Sequence, residues 1–401
     1  MRRIRSGDMA GLRLRPFRRV ARAGVRALVT IPFLLVVGGC EVENPTRVIP
    51  ENAEPVRLLE GMMTRLEELH RTIVAGIFVA SDEGRYGGTN VQIKEADETG
   101  DLSVYAFFQG RYPQFTEARV LTEIAIETAK KKRLTMPLRK AHAWHGWILI
   151  RMAEIWGAQP LVVGGPHVPQ EEIFELARED FEAVIEGGPL LRPDTLPPEQ
   201  QIDAPLDSAY IQALAGIARI NYNLGRSPVN PELLQEAIEK ADEALMLDPN
   251  FYHLVPVRSN TLRSSWGTSY IRNPPYQYIT PWWSRSATIP QGWKLIDKDE
   301  LWLIKAEAKL LLGDLNGAKQ TLKQTPLLAD NLVGLGRQRT SHTQPLLTEQ
   351  EINDLLDPLD EEGVLFVIRE LQRENQFTHG RRAVSDQGTP IFPVKLPPEV
   401  F

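Results

Sequence analysis

Asp82 and Glu83 stand side by side in Ser81-Asp82-Glu83-Gly84-Arg85-Tyr86-Gly87-Gly88-Thr89-Asn90. Two neighbouring carboxyls could act as general acid and base. In a glycine-rich polar loop they fit a solvated turn, or the hydrogen-bonding corner of a binding site, better. Gly84, Gly87 and Gly88 lead into no helix opening with Lys-Ser/Thr, as a phosphate-cradling loop requires. His142 and His145 are three apart, a spacing that puts two imidazoles on one helix face and could hold a metal. No third Cys, His or Asp lies nearby at suitable spacing, and the stretch is apolar, so the two read as a structural pair. There is no Gly-x-Ser-x-Gly, and the one cysteine is Cys40. These patterns argue against an enzyme and call for no metal or cofactor.

The aromatic residues point elsewhere. Trp266, Tyr270, Tyr276, Tyr278, Trp282, Trp283 and Trp293 crowd into residues 251–294, a stretch with little helical pattern. A loop this long is usually functional or disordered, and aromatic-rich composition argues against disorder. As core, the rings would plug gaps against neighbouring helices. As a surface, adjacent Trp282 and Trp283 with nearby Tyr276 and Tyr278 could stack on sugar rings or cover apolar peptide side chains, the phenols serving polar groups.

The elements that would position these residues begin with an export signal. Residues 1–39 carry nine arginines and one acid, Asp8, ahead of an apolar run over 27–37 that is too short to span a membrane. Leu35-Val36-Val37-Gly38-Gly39-Cys40 resembles the lipobox of bacterial lipoproteins, which implies cleavage before Cys40 and lipidation of its thiol. The alternative is an ordinary cleaved signal with an incidental cysteine. A lone thiol can form no internal disulfide and is a liability in an oxidising compartment, so lipidation accounts for it better. Removing nine arginines and one aspartate takes +8 from the whole-chain charge of −6 and leaves −14. A body this acidic argues against nucleic acid or anionic lipid as a partner, so membrane attachment falls to the lipid. Glu41, where an aspartate would favour inner-membrane retention, favours the outer membrane. Residues 40–55, with Pro45, Pro50 and Pro55, read as an extended tether.

From residue 56 onward the chain is predicted to be mainly α, as a single domain to residue 401. Helices are expected over 56–79, 107–130, 138–156 and 170–185, the third apolar nearly all round and therefore buried. Residues 209–225 and 231–250 read like one tetratricopeptide unit: small alanines between two helices, a turn at Gly225 and a stop at Asp248-Pro249. A second copy starts at Glu300, with Gly313 where Gly225 fell, so both glycines are expected to turn paired helices through positive φ. The architecture expected is an α-solenoid of tetratricopeptide-like pairs interrupted by the aromatic-rich irregular insert 251–294.

This order of segments resembles the RagB/SusD family of outer-membrane nutrient-uptake lipoproteins. Residues 139–162 (RKAHAWHGWILIRMAEIWGAQPLV) are similar to the family's alanine- and aromatic-rich helix with its Trp-Gly turn and Pro-Leu-Val. Residues 304–322 (IKAEAKLLLGDLNGAKQTL) resemble its late repeat, and Ile368-Arg369-Glu370, Glu374, Phe377 and Gly380-Arg381-Arg382 its glutamate-rich helix. Ser385 stands where the family has an acid. The resemblance implies a SusD-like lipoprotein that captures oligosaccharide or peptide, unchanged, for a TonB-dependent outer-membrane transporter. It also implies a ligand face that joins the early loop (Asp82, Glu83, Arg85, Tyr86) to the aromatic one (Tyr276, Tyr278, Trp282, Trp283). The alternative is a tetratricopeptide lipoprotein serving as an assembly scaffold for other proteins.

Overall fold

The computed structural model describes residues 53–80, 85–86, 91, 95, 112–162, 165–189, 208–256, 269–270, 292–325 and 347–378. The chain divides into two units, Met1–Pro50 and Glu51–Phe401, and every described residue belongs to the second. Ten helices are described: α1 (Pro55–Ala80), α2 (Tyr112–Lys132), α3 (Thr135–Trp156), α4 (Gln170–Ile185), α5 (Ser208–Gly225), α6 (Pro231–Leu247), α7 (Lys298–Leu311), α8 (Leu315–Gln324), α9 (Glu349–Leu356) and α10 (Glu361–Thr378). Each helix from α2 to α8 packs on its predecessor. The first helices of successive pairs, α3, α5 and α7, also touch one another in turn. That nearest-neighbour pattern is the solenoid expected from the repeats.

Local chemistry sets the boundaries. Pro231 begins α6 behind Asn230, whose side chain accepts from the backbone N–H of Glu232 and Leu233. Asp297 caps α7 through Glu300 N–H, Asp314 caps α8 through Gly317 N–H, and Thr348 and Glu351 close a capping box on α9. Helix α3 starts at Thr135, three residues before the expected start, with Pro137 in its first turn where a missing N–H costs nothing. It is buried nearly all round, with Trp147, Ile150, Met152 and Ala153 fully inaccessible.

Packing is closest where glycine replaces a side chain. Phe181 of α4 is fully buried, and its ring lies where a Cβ at Gly146 of α3 or Gly216 of α5 would stand. The two expected glycine turns differ. Gly313 has φ +81° and turns α7 into α8 as predicted. Gly225 is not in the left-handed region. It remains the last residue of α5, and a Cβ there would come within 3.0 Å of Leu233 Cβ and 3.2 Å of Leu234 in α6. Glycine is needed at 225 for close approach, whereas at 313 it is needed for φ.

Six short strands complete the described part. β1 (Arg85–Tyr86) pairs antiparallel with β5 (Ser269–Tyr270), β2 (Gln159–Pro160) with β3 (His167–Val168), and β4 (Tyr252–Pro256) with β6 (Gly292–Asp297). The last pair brings the two ends of the expected insert together, with a register shift between His253 and Leu254. No helix among the described residues is long and apolar enough to cross a membrane.

Candidate functional site

The aromatic insert springs from the β4–β6 stem, and the stem is anchored in the core. In β4 His253 and Val255 are buried while Tyr252 is 58% exposed, the alternation of a half-buried strand, and in β6 Leu295, Ile296 and Asp297 are buried in succession. The His253 ring lies between Trp144 and Trp147 of α3, with centroids 4.6 and 5.5 Å away. Arg219 of α5 donates from Nη1 to the Leu295 carbonyl at 2.8 Å and from Nε to Glu154 Oε1 of α3 at 2.6 Å. It also lies 3.6 Å from Glu300 of α7, and its guanidinium sits over the Trp147 ring. Arg151 supplies a second contact to Glu154 at 3.2 Å. A buried guanidinium with a carboxylate on each side thus ties the root of the insert to three helices.

The pairing of β1 with β5 attaches a second segment to that insert. Arg85 lies opposite Tyr270, and Tyr86 opposite Ser269. The early glycine-rich loop and the aromatic insert, far apart in sequence, therefore meet at one strand pair. Of the residues predicted for the ligand face, Arg85 and Tyr86 are at this junction. Asp82, Glu83, Tyr276, Tyr278, Trp282 and Trp283, together with Cys40, lie outside the described residues.

The two histidines have become part of a buried ion cluster. His142 Nδ1 and His145 Nδ1 contact the two oxygens of Asp180 at 2.7 and 2.5 Å, and His145 Nε2 faces Glu123 at 3.5 Å. An ionised carboxylate only accepts, so both Nδ1 atoms donate. Burial works against a charged His145, but its bonds to Asp180 and Glu123 prevail and raise its pKa to about 9. Burial alone would likewise raise Asp180, and the two imidazoles hold its carboxyl below the ordinary range. A protonated imidazole offers no lone pair, which leaves His145 unsuited to a metal. Among the described residues no group of three or more His, Cys, Asp or Glu could hold one.

A second cluster lies between α5, α7 and α10. Glu307, fully buried, accepts from the Tyr222 hydroxyl and from Gln372 Nε2, each at 2.5 Å, and pairs with Arg369 at 2.9 Å. Burial, and then the Glu307 charge, push the Tyr222 phenol above its usual range. Each of these polar groups is engaged with another, so the cluster serves the fold. Sequence reasoning anticipated the histidines as a structural pair but missed the Arg219 and Glu307 networks. Their signal was present: Arg151, Glu154, Arg219 and Glu307 are charged positions inside otherwise apolar, alanine-rich helices, where an ion survives only if paired.

No family model and no curated protein matches the sequence. Solved structures match its fold. A SusD/RagB family protein from Bacteroides thetaiotaomicron VPI-5482 superposes with a TM-score of 0.58, over 82% of this chain and 84% of its own, at 13% identity. The fold is that of the SusD proteins. A SusD superfamily protein from the same organism gives a TM-score of 0.53 over 82% and 88% of the two chains, also at 13% identity. Another, from Bacteroides vulgatus ATCC 8482, gives 0.52 over 81% and 85% at 14% identity. In this SusD fold, two segments quoted for the resemblance meet directly, since the Glu307–Arg369 pair joins Ala306-Glu307-Ala308 to Ile368-Arg369-Glu370. A third, the Trp156-Gly157 turn, is held by Tyr112, which donates to the Pro160 carbonyl, and by Arg119, which donates to that of Leu161 at 2.6 Å.

Proposed function

We propose that this protein is a lipid-anchored binding protein of the SusD kind, which captures an oligosaccharide or peptide, unaltered, for a TonB-dependent outer-membrane transporter. The observation that supports this most is the β1–β5 pair, which joins the loop bearing Asp82, Glu83, Arg85 and Tyr86 to the insert bearing Tyr276, Tyr278, Trp282 and Trp283. Carboxylates from one segment and rings from the other suit a ligand with both polar edges and apolar faces. In this reading residues 1–39 are removed, Cys40 carries the lipid, the residues between Cys40 and α1 form the tether, and the acidic body leaves the membrane contact to the acyl chains.

The test is titration calorimetry of the protein against glycan and peptide panels, alongside thermal unfolding. Changing Trp282 and Trp283 together to alanine is expected to weaken binding about 30-fold or more with the melting temperature unchanged. Affinity and stability both unchanged would remove the aromatic platform. The stacked pairs α5–α6 and α7–α8 also suit a protein partner. Recovery of β-barrel assembly components from membranes, in place of a transporter and with no ligand bound, would select the scaffold reading instead.

A further inference from the structure

The last two described helices line an apolar groove that no other described residue fills. Its volume is about 460 Å³, and it is lined by Leu355 of α9, by Leu359 in the turn that follows, and by Gly363, Phe366 and Val367 of α10. Phe366 is 53% exposed, and Asp360 and Glu362, both exposed carboxylates, stand at the rim. A solenoid's terminal pair has no following pair to cover its outer face, so that face is normally polar or capped. Here Phe366 interrupts the polar face that Asp360, Glu361 and Glu362 begin, and among the described residues nothing covers it.

We propose that the groove is the seat of this chain's own C-terminal segment, with Phe392, Val394 and Leu396 in the groove and Lys395 at its acidic rim. Four observations carry this. Phe392, Val394 and Leu396 alternate along the sequence Ile391-Phe392-Pro393-Val394-Lys395-Leu396-Pro397-Pro398, so an extended chain presents all three to one side. Pro393, Pro397 and Pro398 bar a helix there and remove N–H donors. A groove between helices, whose backbones are already hydrogen-bonded internally, can satisfy few such donors, so a proline-rich segment suits it. The segment also has the reach. α10 ends at Thr378, and Phe392 follows fourteen residues later, a span of up to about 46 Å. The whole eighteen-residue helix is only about 27 Å long, so the chain can double back from its end to its first turns. Lys395 supplies the charge opposite to Asp360 and Glu362.

The test places photoreactive benzoylphenylalanine at position 366 of the full chain and maps the adduct by mass spectrometry after irradiation. The adduct is expected within the same chain, in residues 391–396, and Phe392→Asp with Val394→Asp should lower its yield at least tenfold. An adduct to a second copy, to residues 326–346 or to another polypeptide overturns the proposal, as does an undiminished yield in the double variant. Hydrogen exchange gives a reading without the unnatural residue. Amides of residues 361–368 should exchange at least threefold faster in a chain ending at Gly388 than in the full chain, and equal rates overturn the proposal.

Discussion

The ring of Phe181 occupies the space that any side chain at Gly216 would need: a Cβ there would stand 2.3 Å from the ring, well inside contact distance. Gly146 flanks the same ring from the other side, so α4 is seated between α3 and α5 by one phenyl group and two missing methyls. Gly216→Ala is expected to cost about 1–3 kcal/mol through overpacking, read as a lower melting temperature. Combining it with Phe181→Leu should cost less than the sum of the two single changes. Strict additivity would show that the ring and the glycine do not compete for that space.

Arg219 offers the sharpest test of the stem. Arg219→Met takes the two-pronged guanidinium contact from Glu154 and leaves it the Arg151 contact, so the cost is expected to approach the about 3–5 kcal/mol typical of a broken buried pair without exceeding it. The measurement is the urea midpoint, with the slope checked for two-state behaviour. Arg219→Lys should recover little, because a single ammonium cannot serve Glu154 and the Leu295 carbonyl together.

His145 makes stability depend on pH with a definite sign. Its folded pKa, about 9, exceeds the ordinary 6.5, so the folded state binds the proton more tightly. The stabilisation is complete below pH 6.5, declines between there and pH 9, and is absent above. Asp180 acts oppositely: its lowered pKa contributes stability above its ordinary 3.8 that is lost as pH falls through the folded value. The wild type's advantage over His145→Gln in denaturant unfolding should therefore be largest between about pH 4 and 6.5 and vanish near pH 10. An advantage that grows with alkalinity would refute the charged imidazole.

Cys40→Ser should release the protein from the membrane fraction or stall its processing. Persistent fractionation with the outer membrane through an acyl chain would refute anchoring at this cysteine.

The fold was legible wherever burial imposes a helical period. Residues 170–185 were expected as a helix and form one with those bounds, because Ile173, Ala177, Phe181 and Val184 make an unbroken buried stripe. The repeat pairs could be read from their small residues. The β4–β6 stem could not: its strands are short, and one buried position is a histidine, which an apolar alternation pattern passes over. The Arg219 and Glu307 networks were hidden for a related reason, since a charged residue in sequence gives no sign of a partner in another helix. For the candidate site, only the meeting of the Arg85-Tyr86 segment with the aromatic insert falls within the described residues. That meeting depends on the family resemblance for its anticipation, since nothing local in either segment specifies the other.

The stem also has a consequence for how such a protein can change. Tyr252 and Asp297 are paired across an antiparallel ladder, and everything from Pro256 to Gly292 leaves and re-enters the core at adjacent points. Lengthening or replacing that stretch leaves the core contacts of His253, Val255, Leu295 and Ile296 in place. The added cost is loop closure, only about 0.6 kcal/mol for each doubling of length. The insert is thus a cassette whose length and content can change without redesigning the interior of this body.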